Sequence, residues 1–358
     1  MLVRSVVLTI CVVGGGLAGA LRLDRTSSRR EVVQASLGLV GGGVLPRASH
    51  AASEDRLVVP LEFIPALNAY IVQYWLFGER FGAIIDTGSP FLTAPSTCSK
   101  WSYKYSWGCY KPELTKDSGY ANTIEGFDNN QGPVVWRNAA FAFEEGQETE
   151  ELTFGVFGPE LLDGPGGVFL GLIKHTDSWI RPSFLGQTGY RSFCCDFRDK
   201  PQLVLSKGSL IGESDDYIPL VRTLNRKYRA PPVHYTAKAA SFICNGLPLR
   251  VDSKNPALVI FDTGLSGMAV SDELFDGRNL QARKNREKTL WGDVRVEFET
   301  HQGRTVEISA KNPLTTPLGR DTPWTKFKGN LIVIGLSFLD GRALTIDADE
   351  DKLVFNSQ

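Results

Sequence analysis

Histidine and cysteine are scarce in this chain: its 358 residues hold four of the first and six of the second. The histidines stand alone and no Cys-x-x-Cys pair occurs. Zinc sites are built from clusters of those residues at short fixed spacings, so no metal centre is expected and no metal ligand is assigned. There is no Gly-x-x-x-x-Gly-Lys loop to cradle phosphate and no Gly-x-Ser-x-Gly elbow to present a serine nucleophile. Nucleotide and serine-hydrolase chemistry are left without a site, and no cofactor is expected. Excess charge of one sign is also lacking, the formal net charge being −1. Nucleic acid, which needs a concentrated basic face, is therefore not an expected partner. No apolar run reaches the eighteen or so residues of a membrane span. No Asn-x-Ser/Thr acceptor occurs, which weighs slightly against a glycosylating destination.

The charge that is present is unevenly placed. Residues 1–52 hold six Lys or Arg and two Asp or Glu, which leaves 39 − 6 = 33 positive and 40 − 2 = 38 negative groups in the remainder. A basic leader thus precedes a mildly acidic body. The leader reads as two stacked export signals. Arg4, the apolar residues 6–13 and a small-residue end at Ala20 make the first. Ser28-Arg29-Arg30, an uncharged stretch over 32–46 and Ala48-Ser-His-Ala-Ala52 make a second, of twin-arginine type. Such stacking resembles the addresses of proteins sent through the secretory route into a plastid and on to the thylakoid lumen. The alternative is one signal followed by an unstructured pro-segment, on a protein that is secreted or vacuolar. A second basic run, 278–288, has Asn, Gln and Glu interleaved and reads as solvated surface.

The body is punctuated by 36 Gly and 19 Pro over the whole chain, with strand-like stretches at 57–63, 70–77, 133–143, 202–205, 294–298 and 305–309. Long helical periodicity is scarce. An all-β fold is expected. Within it one motif stands out because it occurs twice. Residues 81–95 read Phe-Gly-Ala-Ile-Ile-Asp-Thr-Gly-Ser-Pro-Phe-Leu-Thr-Ala-Pro, and residues 258–271 read Leu-Val-Ile-Phe-Asp-Thr-Gly-Leu-Ser-Gly-Met-Ala-Val-Ser. In each, a buried-strand pattern feeds an Asp-Thr-Gly turn. Asp86 and Asp262 lie 262 − 86 = 176 residues apart, about one domain, as in a duplicated half-protein. A second echo follows: Val-Phe-Leu-Gly-Leu-Ile at 168–173 and Leu-Ile-Val-Ile-Gly-Leu at 331–336. Glycine in these strands would let the backbone pass close beside each Asp turn.

These residues, with Asn68-Ala-Tyr-Ile-Val, Gly78, Ser192-Phe-Cys-Cys195 and Ile218-Pro-Leu-Val221, resemble the pepsin-type (A1) aspartic proteases, and the plant nepenthesin-like members in particular. The resemblance implies a bilobal pepsin-like fold after the leader, with one pseudo-repeated lobe over 53–215 and another over 216–358. It implies an aspartic endopeptidase in which Asp86 and Asp262 share one proton and activate a water at acidic pH. Thr87 and Thr263 would lock the turns together, Gly88 and Gly264 would let backbone N–H groups reach the carboxylates, and Ser89 would support Asp86. Cys98 and Cys109 occupy the position of a small disulfide loop, while a pairing of Cys244 with Cys194 or with Cys195, which would leave one thiol over, is open. The implied partner is an extended polypeptide substrate, met by a monomer with no stable membrane span. A mature chain of 358 − 52 = 306 residues leaves little room before Asp86 for an inhibitory pro-segment.

The departures define the alternative. Leu265 stands where many relatives have Ser or Thr, unless Ser266 substitutes, and Pro90 replaces a usual Ser. The hairpin over the cleft, where relatives carry Tyr-Gly, aligns best with Glu125, Gly126 and Phe127. A phenol is then missing there, with Phe127 or Tyr120 left to compensate. On these grounds a pepsin-fold binding or inhibitor protein with little or no turnover is the second reading.

Overall fold

The computed structural model describes residues 55–127, 130–147, 151–158, 168–175, 181–222, 234–249, 256–271, 274–275, 289–318 and 330–356, with Leu8–Thr9 placed as a short strand beside Gly126 and Phe127. The rest of the leader and the basic run 278–288 lie outside the described residues.

The fold is all-β. Described strands gather into one sheet of 15 and another of 9, and the described helices are short. Every expected strand is present, within a residue or two except where the hairpin strand starts earlier: Arg56–Ile64, Ala69–Leu76, Asn130–Ala142, Gln202–Ser206, Asp293–Glu299 and Thr305–Lys311. Their side chains alternate as the pleat demands. In Arg56–Ile64, Val59 and Leu61 are buried while Val58 faces solvent.

The strands that lead into the two Asp turns behave differently, because both of their faces are covered. Glu79–Asp86 is buried from Phe81 onward, and Ala257–Phe261 is buried throughout. In the second of these, Ala257, Val259 and Phe261 enter the main apolar core, whereas Leu258 and Ile260 enter a smaller cluster with Leu265, Ala269, Leu331 and Val333. Continuous apolar runs are the sequence mark of such two-sided burial.

Sheet pairing crosses residue 215. Ser192–Asp196 lies between Gln202–Ser206 and the late strand Ala343–Asp347, and Ile218–Pro219 pairs with Lys352–Asn356 in the same sheet. The second sheet draws only on residues between Thr236 and Ile334.

Cys98 and Cys109 are disulfide-bonded, with Cα atoms 5.0 Å apart. The expected pairing of Cys244 with Cys194 or Cys195 is not found, and all three are thiols. Adjacent residues of one strand, Cys194 and Cys195 point to opposite faces, and Cys244 ends Thr236–Cys244 in the other sheet, where its thiol donates to the Trp291 carbonyl at 3.1 Å.

Candidate active site

Each Asp-Thr-Gly turn leaves the end of a buried strand and is braced by a parallel neighbour. Phe169–Gly171 runs beside Glu79–Asp86 with Gly171 registered on Asp86. Asn330–Ile334 runs beside Ala257–Phe261, and the Asp262 N–H donates to Ile334 at 3.0 Å just before Gly335. The two glycines then make equivalent bonds. Gly171 N–H donates to Phe91 and Gly335 N–H to Gly267, each at 2.9 Å and each five residues past its Asp (91 − 86 = 267 − 262 = 5). A Cβ on Gly171 would lie 2.4 Å from the Phe91 nitrogen, and one on Gly335 2.0 Å from the Leu265 carbonyl oxygen. Only glycine fits so close to backbone.

The turns hold each other reciprocally. Thr87 N–H donates to Thr263 Oγ1 at 3.1 Å, and Thr263 N–H to Thr87 Oγ1 at 3.0 Å. Each hydroxyl donates in turn across the junction, Thr87 to the Phe261 carbonyl at 2.9 Å and Thr263 to the Ile85 carbonyl at 2.8 Å. Four hydrogen bonds thereby satisfy six buried polar groups, so the relative position of the turns is tightly specified.

This brings the Asp86 and Asp262 carboxyl groups together, both buried and close enough that the charge of one acts on the other. A Cβ on Gly88 would meet Asp262 Cγ at 2.5 Å, so the first turn must be glycine there for the second carboxyl to approach. Gly88 N–H donates to Asp86 Oδ1 at 2.8 Å and Gly264 N–H to Asp262 Oδ1 at 2.9 Å. Ser89 Oγ donates to Asp86 Oδ2 at 2.6 Å.

The two acids are not equivalent. Burial raises the pKa of Asp86, opposed by the hydrogen bonds from Ser89 and Gly88. Burial raises Asp262 well above the ordinary aspartate range, and the Asp86 charge raises it further, against the backbone donors Gly264 and Leu265. Of the two, Asp262 is pushed up the more strongly, which favours the shared proton on its side of the pair. Together the pair offers one acid and one base side by side.

Leu265 supplies no hydroxyl to Asp262. Its side chain is fully buried in the smaller apolar cluster. Ser266 does not replace the missing hydroxyl, since its Oγ donates to the Asn68 carbonyl at 3.0 Å. Pro90, the other substitution, uses its carbonyl to accept from Phe184 N–H at 2.9 Å.

The expected hairpin forms, from Thr123–Phe127 and Asn130–Ala142, with Gly126 opposite Gln131 and Phe127 opposite Asn130. Glu125 is buried and ion-paired with Arg181. Tyr120 precedes the hairpin and is exposed. Arg181 had no signal in the sequence, being a lone cation in Trp-Ile-Arg-Pro, and only the fold brings it to Glu125. A separate cavity of about 380 Å³, lined by Leu57, Phe141, Phe143, Leu152 and Tyr190 among others, contains neither Asp. Among the described residues, no group of three or more His, Cys, Asp or Glu is placed to hold a metal ion. No described helix is long and apolar enough to cross a membrane.

No protein-family model matches the chain, and no curated protein sequence matches it either.

Proposed function

We propose that the chain is an aspartic-type endopeptidase of the pepsin type, a bilobal protein whose two pseudo-repeated halves, 53–215 and 216–358, each contribute one Asp-Thr-Gly turn. The observation that carries this reading is the pair of buried, closely apposed carboxyl groups on turns locked by Thr87 and Thr263. Like-charged carboxylates so close cannot both ionise readily, and a pair with one proton is the handed acid and base that amide hydrolysis needs; aspartic proteases are the general example of this tuning.

In the proposed reaction a water between the carboxyl groups gives a proton to Asp86 as its oxygen attacks the substrate carbonyl carbon. Asp262 gives its proton to the carbonyl oxygen, forming a neutral tetrahedral diol. Breakdown returns a proton to Asp262 from a diol hydroxyl while Asp86 protonates the departing amine, and the C–N bond breaks. No acyl-enzyme forms. The substrate is an extended polypeptide with apolar side chains on both sides of the scissile bond, and the protein acts as a monomer. We place it after export, in the thylakoid lumen of a plastid or on the secretory route, where an acidic compartment suits a dyad sharing one proton.

The test is cleavage of denatured haemoglobin or casein at about pH 4, by protein beginning near Ala52, beside its Asp86→Asn variant and with pepstatin. Proteolysis lost in both controls is expected. A folded preparation that never cleaves would instead support a binding protein that has kept this fold, the reading favoured by Glu125 being committed to Arg181 where a phenol would serve catalysis.

A further inference from the structure

We propose that the buried Glu125–Arg181 ion pair is a positioning clasp, which holds the hairpin of Thr123–Phe127 and Asn130–Ala142 against the turn that carries Asp86. Its catalytic consequence rests on the endopeptidase reading, whereas the clasp itself does not.

The contacts radiate from one guanidinium. Arg181 pairs with Glu125 on the first hairpin strand, and both side chains are nearly inaccessible, at 6% and 1% exposure. Its guanidinium carbon lies 4.9 Å from the ring centre of Trp136, on the second hairpin strand, and 5.2 Å from that of Phe91. Trp136 ties the strands together by donating its indole N–H to Thr123 Oγ1 at 3.0 Å, and its ring meets Phe91 edge-on at 4.8 Å. Phe91 belongs to the segment leaving Asp86, and its carbonyl receives the N–H of Gly171, the residue registered on Asp86. The stretch after Arg181 is anchored to that same segment, Phe184 N–H donating to the Pro90 carbonyl at 2.9 Å. One cation therefore links both hairpin strands to the loop that follows Asp86.

Stability alone is a poor account of this arrangement. Burying both charges costs several kcal/mol before their attraction is counted, and apolar side chains of similar volume would pack on Phe91 and Trp136 without that cost. Arg181 Nε, moreover, has no acceptor among the described residues. What a buried pair supplies better than an apolar one is a single registration of the parts it joins. Glu125 is by the same contacts not a third acid of the dyad, because its carboxylate is spent on Arg181.

The experiment compares the full chain with Glu125→Gln and with the double variant Glu125→Gln/Arg181→Met, reading thermal stability, amide hydrogen exchange over 123–127, and kcat and KM on a peptide substrate. Glu125→Gln strands a buried cation and is expected to lower stability. In the double variant stability returns to that of the parent, yet exchange over 123–127 rises at least about tenfold and kcat/KM falls about ten- to a hundredfold, mostly through KM. Parental exchange and parental KM in the stable double variant would overturn the clasp. Should the double variant not fold, Arg181→Lys keeps the charge but loses the guanidinium seated against Trp136 and Phe91; an intermediate rise in exchange is expected, and none would overturn the proposal. If the parent chain cleaves nothing, the endopeptidase reading fails while the exchange comparison still decides the clasp.

Discussion

The support given to Asp86 and Asp262 differs by one hydroxyl. Asp86 accepts from Ser89 as well as from Gly88, while the matching position in the second turn is Leu265, which turns into an apolar cluster. Ser89→Ala removes the donor that holds the Asp86 carboxylate ionised, so the acid limb of the pH–rate profile is expected to move to higher pH. Steady-state rates on a peptide substrate across the acid range check this. Leu265→Ser does the reverse for Asp262: a donor there would lower its raised pKa and bring the alkaline limb down. The same change empties part of the cluster of Leu258, Ala269 and Leu331, at a cost of about 2–4 kcal/mol. Chemical denaturation reads that cost, and an unchanged midpoint would contradict the burial of Leu265.

Between elements, the junction of the two turns concentrates most constraint in least sequence. Thr263→Val deletes the donor to Ile85 and the acceptor for Thr87 N–H, and leaves a buried carbonyl and a buried amide unpaired. At about 1–3 kcal/mol for each stranded group, a loss of roughly 2–5 kcal/mol is expected, with activity falling because the two acids lose their alignment. Denaturant titration and rate assays on the same preparation separate these effects. Gly335→Ala tests the other brace. Its Cβ would sit 2.0 Å from the Leu265 carbonyl oxygen, backbone that cannot turn aside, so the strand Asn330–Ile334 or the Asp262 turn must shift. Poor soluble yield or a sharply lowered melting temperature is expected, whereas a parental melting curve would show that the close approach is not real.

At the scale of the whole molecule the dyad links function and stability to pH in the same direction, both favouring acid. Asp262 has a folded pKa raised well above its ordinary value by burial and by the Asp86 charge. Its contribution to stability is therefore fully present below the unfolded aspartate pKa and is lost as pH rises through the folded value. Asp262→Asn, which needs no proton, should raise the melting temperature more at pH 7 than at pH 4, while abolishing cleavage at both. Equal shifts at the two pH values would mean that Asp262 is not the proton holder. For the parent chain the proposed hydrolysis is expected to peak below about pH 6, as a shared-proton dyad requires, and a neutral optimum would count against the mechanism.

Much of this was local enough to be written in the chain. Strand positions follow from period-two patterning and from uninterrupted apolar runs such as 258–261, because burial on one or both faces leaves its mark residue by residue. The repeated Asp-Thr-Gly, and the glycines at 171 and 335, likewise reported close backbone approach, a demand that only glycine meets. What the chain could not show was pairing across distance. That Cys244 sits in a different sheet from Cys194 and Cys195, that Leu265 points away from Asp262, and that Ser266 bonds to Asn68 all depend on which faces meet after folding. The strong upward shift of Asp262 and the capture of Glu125 by Arg181 were decided the same way, since burial and the distance between charges belong to no single segment.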